Sequence, residues 1–188
     1  MNKGYNDKKA VQAAAIFTQL EGGTIDKYKL CKLLYYLERQ TILTTGQPLF
    51  QSELFSVPLG PISSEVNDGI NSVSPSPKFK VIYDEDQFEN WIDHFYKIST
   101  KKLGLLNDPG DDMLSEADIE LIKEISEKFS GWGFKQLKEF FHGLPEHTET
   151  DSRIPIPIEK ILREEGISEE EIQELIEEYQ YYVNLISA

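Results

Sequence analysis

Apolar residues return along much of the chain at the three-to-four spacing of helices. Val11, Ala14, Ala15, Phe17 and Leu20 share one face of a first segment. Asp7 is placed to cap that segment, and Gly22-Gly23 to end it. Asp26 caps a second helix running to about Thr44, with a broad stripe of Leu30, Leu33, Leu34, Leu37 and Leu43 and a stop at Gly46. Two such helices joined by a short Gly-rich turn predict an αα-hairpin. The period is then lost. Residues 49–59 carry β-prone Phe50, Phe55 and Val57, and Pro58-Leu59-Gly60-Pro61 interrupts whatever precedes it. Ser63-Ser64-Glu65-Val66 starts a short helix ending near Ser72, and Ser74-Pro75-Ser76-Pro77 reads as a turn or short polyproline stretch. Phe79 to Tyr83 reads as a strand pairing with the 50–57 segment. Phe88, Trp91, Ile92 and Phe95 suit a brief helix, Leu103 to Leu106 a weak strand, and Asn107-Asp108-Pro109-Gly110 a turn.

Helical spacing resumes behind Ser115-Glu116-Ala117-Asp118, a capping box with Asp at its fourth place, followed by Ile119, Ile122, Ile125 and Phe129. Gly131-Trp132-Gly133 separates that helix from one carrying Phe134, Leu137, Phe140 and Phe141 on its face. A polar loop from Glu146 to Arg153 leads to Pro155-Ile156-Pro157 and a short helix from Ile158 to Glu165. After Gly166, the box Ser168-x-x-Glu171 opens the most regular stripe of all: Ile172, Leu175, Ile176, Tyr179, Tyr182, Val183 and Ile186. The expected fold is mainly α, with a small antiparallel β element of two or three strands near residues 50–83. It is read as one domain over 1–188, with 168–188 a C-terminal amphipathic helix. A chain of 188 residues is long enough to bury a core without disulfides or metal.

Charge alters the picture. The net charge is −14, from 33 acidic and 19 basic residues. Residues 1–100 hold 12 acidic and 10 basic side chains, and the remainder 21 and 9, so the excess lies almost wholly in the second half. Binding to nucleic acid or to an anionic membrane needs a basic face. Neither is expected of this chain alone. Acidic helix faces are ordinarily solvated, and a field of one sign also speeds encounter with a basic protein partner. No apolar run exceeds five residues and Met1 to Tyr5 resembles no leader peptide, so a cytoplasmic location is expected.

Candidate chemistry is sparse. Cys31 stands alone within the stripe of the second helix and reads as a buried structural thiol. Glycine-rich phosphate loops and a Gly-x-Ser-x-Gly elbow are absent from the sequence. His142 and His147 have Glu146, Glu149 and Asp151 nearby, but a spacing of five on a helix puts two side chains about 140° apart, poor for shared ligation unless a loop draws them together. Asp108, Asp111 and Asp112 flank a turn without the Gly and distal Glu of a calcium loop. The reading is therefore of a non-enzyme, with no catalytic residue, metal or cofactor.

One ordered set of motifs is more specific. Lys32-Leu33-Leu34-Tyr35-Tyr36 is followed by Gly46-Gln47-Pro48-Leu49, then Leu59-Gly60-Pro61-Ile62-Ser63-Ser64-Glu65-Val66, then Leu137-Lys138-Glu139-Phe140-Phe141-His142. The set resembles the Panacea domain of SocA-like antitoxins over about residues 9–182. Three positions depart from that family's pattern: Leu59 stands in place of Tyr, Phe141 in place of Thr, and His147 in place of Trp. The resemblance implies an antitoxin of a bacterial or phage toxin–antitoxin pair, neutralising a cognate protein toxin by direct binding. It implies that Lys32, Tyr35, Tyr36, Leu59, Gly60, Pro61, Ser64, Glu65 and His142 lie near the partner surface. The residues themselves allow a plainer account. Gly60 supplies a backbone conformation or close approach, Pro61 redirects the chain, and His142 is a hydrogen-bonded core histidine. An adaptor delivering a partner to a protease, and a metal-dependent or hydrolytic enzyme using His142 and His147, are the other readings. The oligomeric state is left open.

Overall fold

The computed structural model describes residues 4–73 and 88–186, with side chains described as far as Tyr181. The strand expected at Phe79–Tyr83, the turn at Ser74–Pro77, and the side chains of Tyr182, Val183 and Ile186 lie outside it. Within it the protein is mainly helical, with two small antiparallel sheets.

Helix α1 (Asp7–Leu20) is capped one residue earlier than expected, by Asn6 rather than Asp7. Asn6 accepts from the Lys9 N–H, and Asp7 instead accepts from the Asn90 amide. Leu20 is half exposed and does not join the stripe of Val11, Ala14 and Phe17. A short strand β1 (Thr24–Asp26) intervenes before α2 (Lys27–Thr45). Asp26 caps α2 as the sequence predicts, accepting from the N–H groups of Tyr28 and Lys29.

Helix α2 is the axis of the fold, with α1 and the helices over Ser64–Val73, Glu116–Lys128, Phe134–His142 and Ile158–Glu164 packed against it. Its Leu30, Leu33, Leu34 and Leu37 are buried, Leu43 only partly, and four charged residues are buried too: Lys29, Lys32, Glu38 and Arg39. It ends at Gly46, whose φ of 71° is the left-handed cap that favours glycine.

Strands β2 (Leu54–Ser56) and β3 (Ile62–Ser63) form a hairpin around the Pro58–Pro61 turn, and α3 (Ser64–Val73) follows directly. Helix α4 (Glu89–His94) leads into β4 (Phe95–Lys97) and β5 (Lys102–Leu105). Helices α5 (Glu116–Lys128) and α6 (Phe134–His142) come next, α5 opening on the Ser115/Asp118 capping box. Strand β6 (Ile154–Pro155), α7 (Ile158–Glu164) and α8 (Glu169–Ile186) follow.

One sheet has the order β1-β5-β4 and the other β3-β2-β6. The β content is therefore wider than a single element near 50–83. Strand β2 is central, flanked by β3 and by the distant β6, with Phe55 opposite both Ile62 and Pro155. Four strands go beyond the expectation: β3 and β4 are hairpin partners of β2 and β5, with β4 taking in Phe95, expected on the brief helix, while β1 and β6 are two or three residues long. The latter two are created by long-range pairing, such as Ile25 with Leu103, and carry no alternation of their own.

Aromatic rings fill the space between α2, α5 and α6. Tyr36, Phe129, Trp132, Phe140 and Phe141 meet mostly edge to face, with centroids 5.1–6.0 Å apart. Helix α8 closes over the end of α2. A Cβ at Gly46 would stand 2.8 Å from Leu175 Cδ2, so this glycine is required by close approach as well as by its φ. Ile172 is buried, Leu175, Ile176 and Tyr179 are partly buried, and the Tyr179 hydroxyl bonds the Gln51 side chain.

Candidate functional site

The nine motif residues sort into distinct neighbourhoods. Lys32, Gly60, Pro61 and His142 converge, from the middle of α2, the β2–β3 turn and the end of α6. Lys32 is 1% exposed, and its ammonium donates to the Pro61 carbonyl at 2.7 Å. It also lies 5.1 Å from the Tyr28 ring centroid and 5.8 Å from that of Phe141. No carboxylate pairs with it among the described residues, and burial pushes its pKa down to about 8. Gly60, at φ 88°, lets the turn approach both groups. A Cβ there would sit 3.2 Å from Lys32 Nζ and 3.2 Å from His142 Cδ2.

On the far edge of the same imidazole, His142 Nδ1 lies 2.9 Å from Glu149 Oε2. A carboxylate only accepts, so Nδ1 carries the proton and Nε2 faces the interior without a partner. The His147 ring lies 4.9 Å from that of His142. Its side chain is 2% exposed, and neither of its nitrogens is hydrogen-bonded. Burial, then the neighbouring His142, lowers the His147 pKa. The bond from His142 holds the Glu149 carboxyl below its usual range. His142, His147 and Glu149 each offer a ligand atom, all within 4.8 Å of one another. The expected 140° separation does not apply, because α6 ends at His142 and the chain turns back at His147, whose N–H donates to the Leu144 carbonyl.

Tyr35, Tyr36, Ser64 and Glu65 occupy other places. The Tyr35 hydroxyl donates to Glu146 at 2.8 Å, in a buried group with Arg39. The Tyr36 hydroxyl receives Lys128 at 2.6 Å within the ring cluster. Glu65 accepts from the Ser52 hydroxyl and the Glu53 N–H, while Ser64 bonds Arg153. Leu59 is the motif residue that faces out, 49% exposed, with its carbonyl receiving the Tyr28 hydroxyl.

Leu59 forms one wall of a cleft of about 580 Å³ whose other apolar lining is Tyr28, Trp132, Phe134 and Leu137. Phe134 is 55% exposed, with its ring 4.7 Å from that of Tyr28. Lys27 and Lys101 stand at the rim. Lys97 acts on Lys27 as a like charge, and Lys102 follows in β5, so this edge carries a cluster of lysines on an otherwise acidic protein. The sequence reading missed the cleft. Its walls come from five separate segments, and only the lysine spacing in 97–102 hinted at a basic edge.

A family model described as "Antitoxin SocA-like, Panacea domain" matches residues 30–148. The chain belongs to the SocA-like antitoxin family. The match takes in Lys32, Gly60, Pro61, His142 and His147 but stops one residue short of Glu149, and Tyr28 lies before it. No curated protein and no solved structure matches the chain. Membership in the SocA-like family carries a general antitoxin, protein-binding role, and the family is not a known catalytic one. Among the described residues, no helix is long and apolar enough to cross a membrane.

Proposed function

We propose that this protein neutralises a cognate protein toxin in the cytoplasm by direct binding, and that the toxin docks over the Tyr28–Leu59–Phe134 cleft. The observation that carries this reading is the pair of large apolar side chains left in water there, Leu59 and Phe134, on the rim of a concave apolar surface. Such a surface suits a central apolar anchor from a partner, surrounded by a polar rim that excludes water. Lys27 and Lys101 complement an acidic flank on that anchor, while the net charge of −14 governs approach at longer range. Neutralisation follows if the docked toxin has its active or target-binding surface covered.

The test is co-expression. The gene adjacent to this one should arrest growth alone and permit it when this chain is present. Leu59→Asp and Phe134→Asp, both at exposed positions, should fold normally yet lose rescue. An adjacent gene that is harmless alone, or full rescue by both variants, would overturn the reading.

A further inference from the structure

We propose that His142, His147 and Glu149 form a binding site for a divalent transition metal of the zinc class, at the back of the Gly60 turn. The donor set is two imidazoles and one carboxylate, the combination zinc takes where three protein ligands leave a fourth position for water. In a tetrahedral site with bonds of about 2.0–2.1 Å, ligand atoms stand roughly 3.3 Å apart. Two of the three separations bracket that value, 2.9 Å from His142 Nδ1 to Glu149 Oε2 and 3.6 Å from His147 Nε2 to the same oxygen, and all three lie within 4.8 Å.

A second observation is independent of the clustering. The His147 side chain is 2% exposed, Nδ1 has no hydrogen bond and Nε2 has nothing nearer than Glu149 Oε2 at 3.6 Å, although buried polar atoms are ordinarily satisfied. A metal at Nε2 gives one of them a bond. The ligands are also unevenly held, in a useful way. His142 is fixed at the end of α6, and the His147 loop is pinned by its own turn and by the Thr148 N–H donating to Ser56 Oγ at 3.0 Å. Glu149 is 78% exposed, so its carboxylate is free to follow the ion.

The nearby ammonium of Lys32 does not compete for this position. It crowds Gly60 together with the Cδ2–Nε2 edge of His142, whereas the site uses Nδ1 on the opposite edge. The ion would clip the end of α6 to the loop that leads toward β6.

The test uses the full chain without a polyhistidine tag, stripped with chelator and titrated with zinc against a competing dye, and with cobalt followed by its visible absorption. One equivalent should bind. Glu149→Gln and His147→Ala should each weaken binding at least tenfold. Glu149→Gln is the variant that spares the fold, which its unchanged melting in chelator will show. Binding moves the His142 proton from Nδ1 to Nε2, so long-range ¹H–¹⁵N spectra should record that tautomer switch in the wild type. Failure to take up one equivalent, or uptake that survives in both variants because the acidic surface holds the ion adventitiously, would overturn the proposal.

Discussion

Two of the three buried cations of helix α2, Lys32 and Arg39, stand two turns apart in opposite surroundings. Arg39 is met by a full set of acceptors. Its Nε lies 2.8 Å from Glu146 Oε1 and its Nη2 3.3 Å from Oε2, while Glu165 takes a further bond and Tyr35 completes Glu146. Lys32 has one carbonyl and two ring faces. The first cluster ties α2 to the loop after α6 and to the end of α7, and every charge in it is answered. The second stands beside imidazole nitrogens without partners, next to the one motif residue that is open to solvent. Satisfied polar clusters hold architecture, whereas under-satisfied ones retain capacity for a ligand at a cost in stability.

The sharpest way to break this contrast is Glu146→Ala, which leaves Tyr35 without its acceptor and Arg39 with Glu165 alone. It should cost about 3–5 kcal/mol, read as a fall in Tm of roughly 6–20 °C or as a lower denaturant midpoint. Lys32→Met should behave oppositely. The Lys32 pKa is lowered from 10.5 to about 8, so between those values the unfolded chain holds the proton that the folded one has released. Wild-type stability should therefore rise as pH climbs from 8 to 10.5, by up to about 3 kcal/mol. Lys32→Met should lack that rise and be at least as stable as wild type at pH 7, measured by chemical denaturation across pH. Gly60→Ala probes the turn between the two regions. A φ of 88° costs a side-chain-bearing residue about 1–2 kcal/mol, and the methyl presses on His142 and Lys32. A melt should record the loss. Phe134→Ala should shift stability least, within about 0.5 kcal/mol for an exposed position, while weakening toxin binding at least tenfold in a titration.

The parts of this contrast readable in advance were the local ones. The Asp26 cap, the Ser115 box and the Gly46 stop each depend on residues within one turn, and each forms as the sequence predicts. Glu146 illustrates the opposite case. It opened what read as a polar loop, yet it is fully buried because Arg39, 107 residues earlier, supplies its counter-charge. Strands β1 and β6 were invisible for the same reason, since partners far along the chain define them. Within the candidate site, the motif set identified Lys32, Gly60, Pro61 and His142 but not what joined them. The five-residue spacing of His142 and His147 argued against a shared role, and that argument assumed a helix that stops at His142. Tyr28 and Phe134 had no signal, because an aromatic on a helical stripe reads as core until its neighbours are known.

The docking of α8 has a consequence in time. Leu175 seats on Gly46, and Tyr179 bonds a residue 128 positions earlier. During synthesis the stripe around α2 can collapse early, but its C-terminal end has no cover until residues 172–179 have left the ribosome. An antitoxin assembled in that order reaches its finished form late. The cleft over Tyr28, Leu59 and Phe134 draws its lining from residues no later than Leu137, so it is translated before that cover.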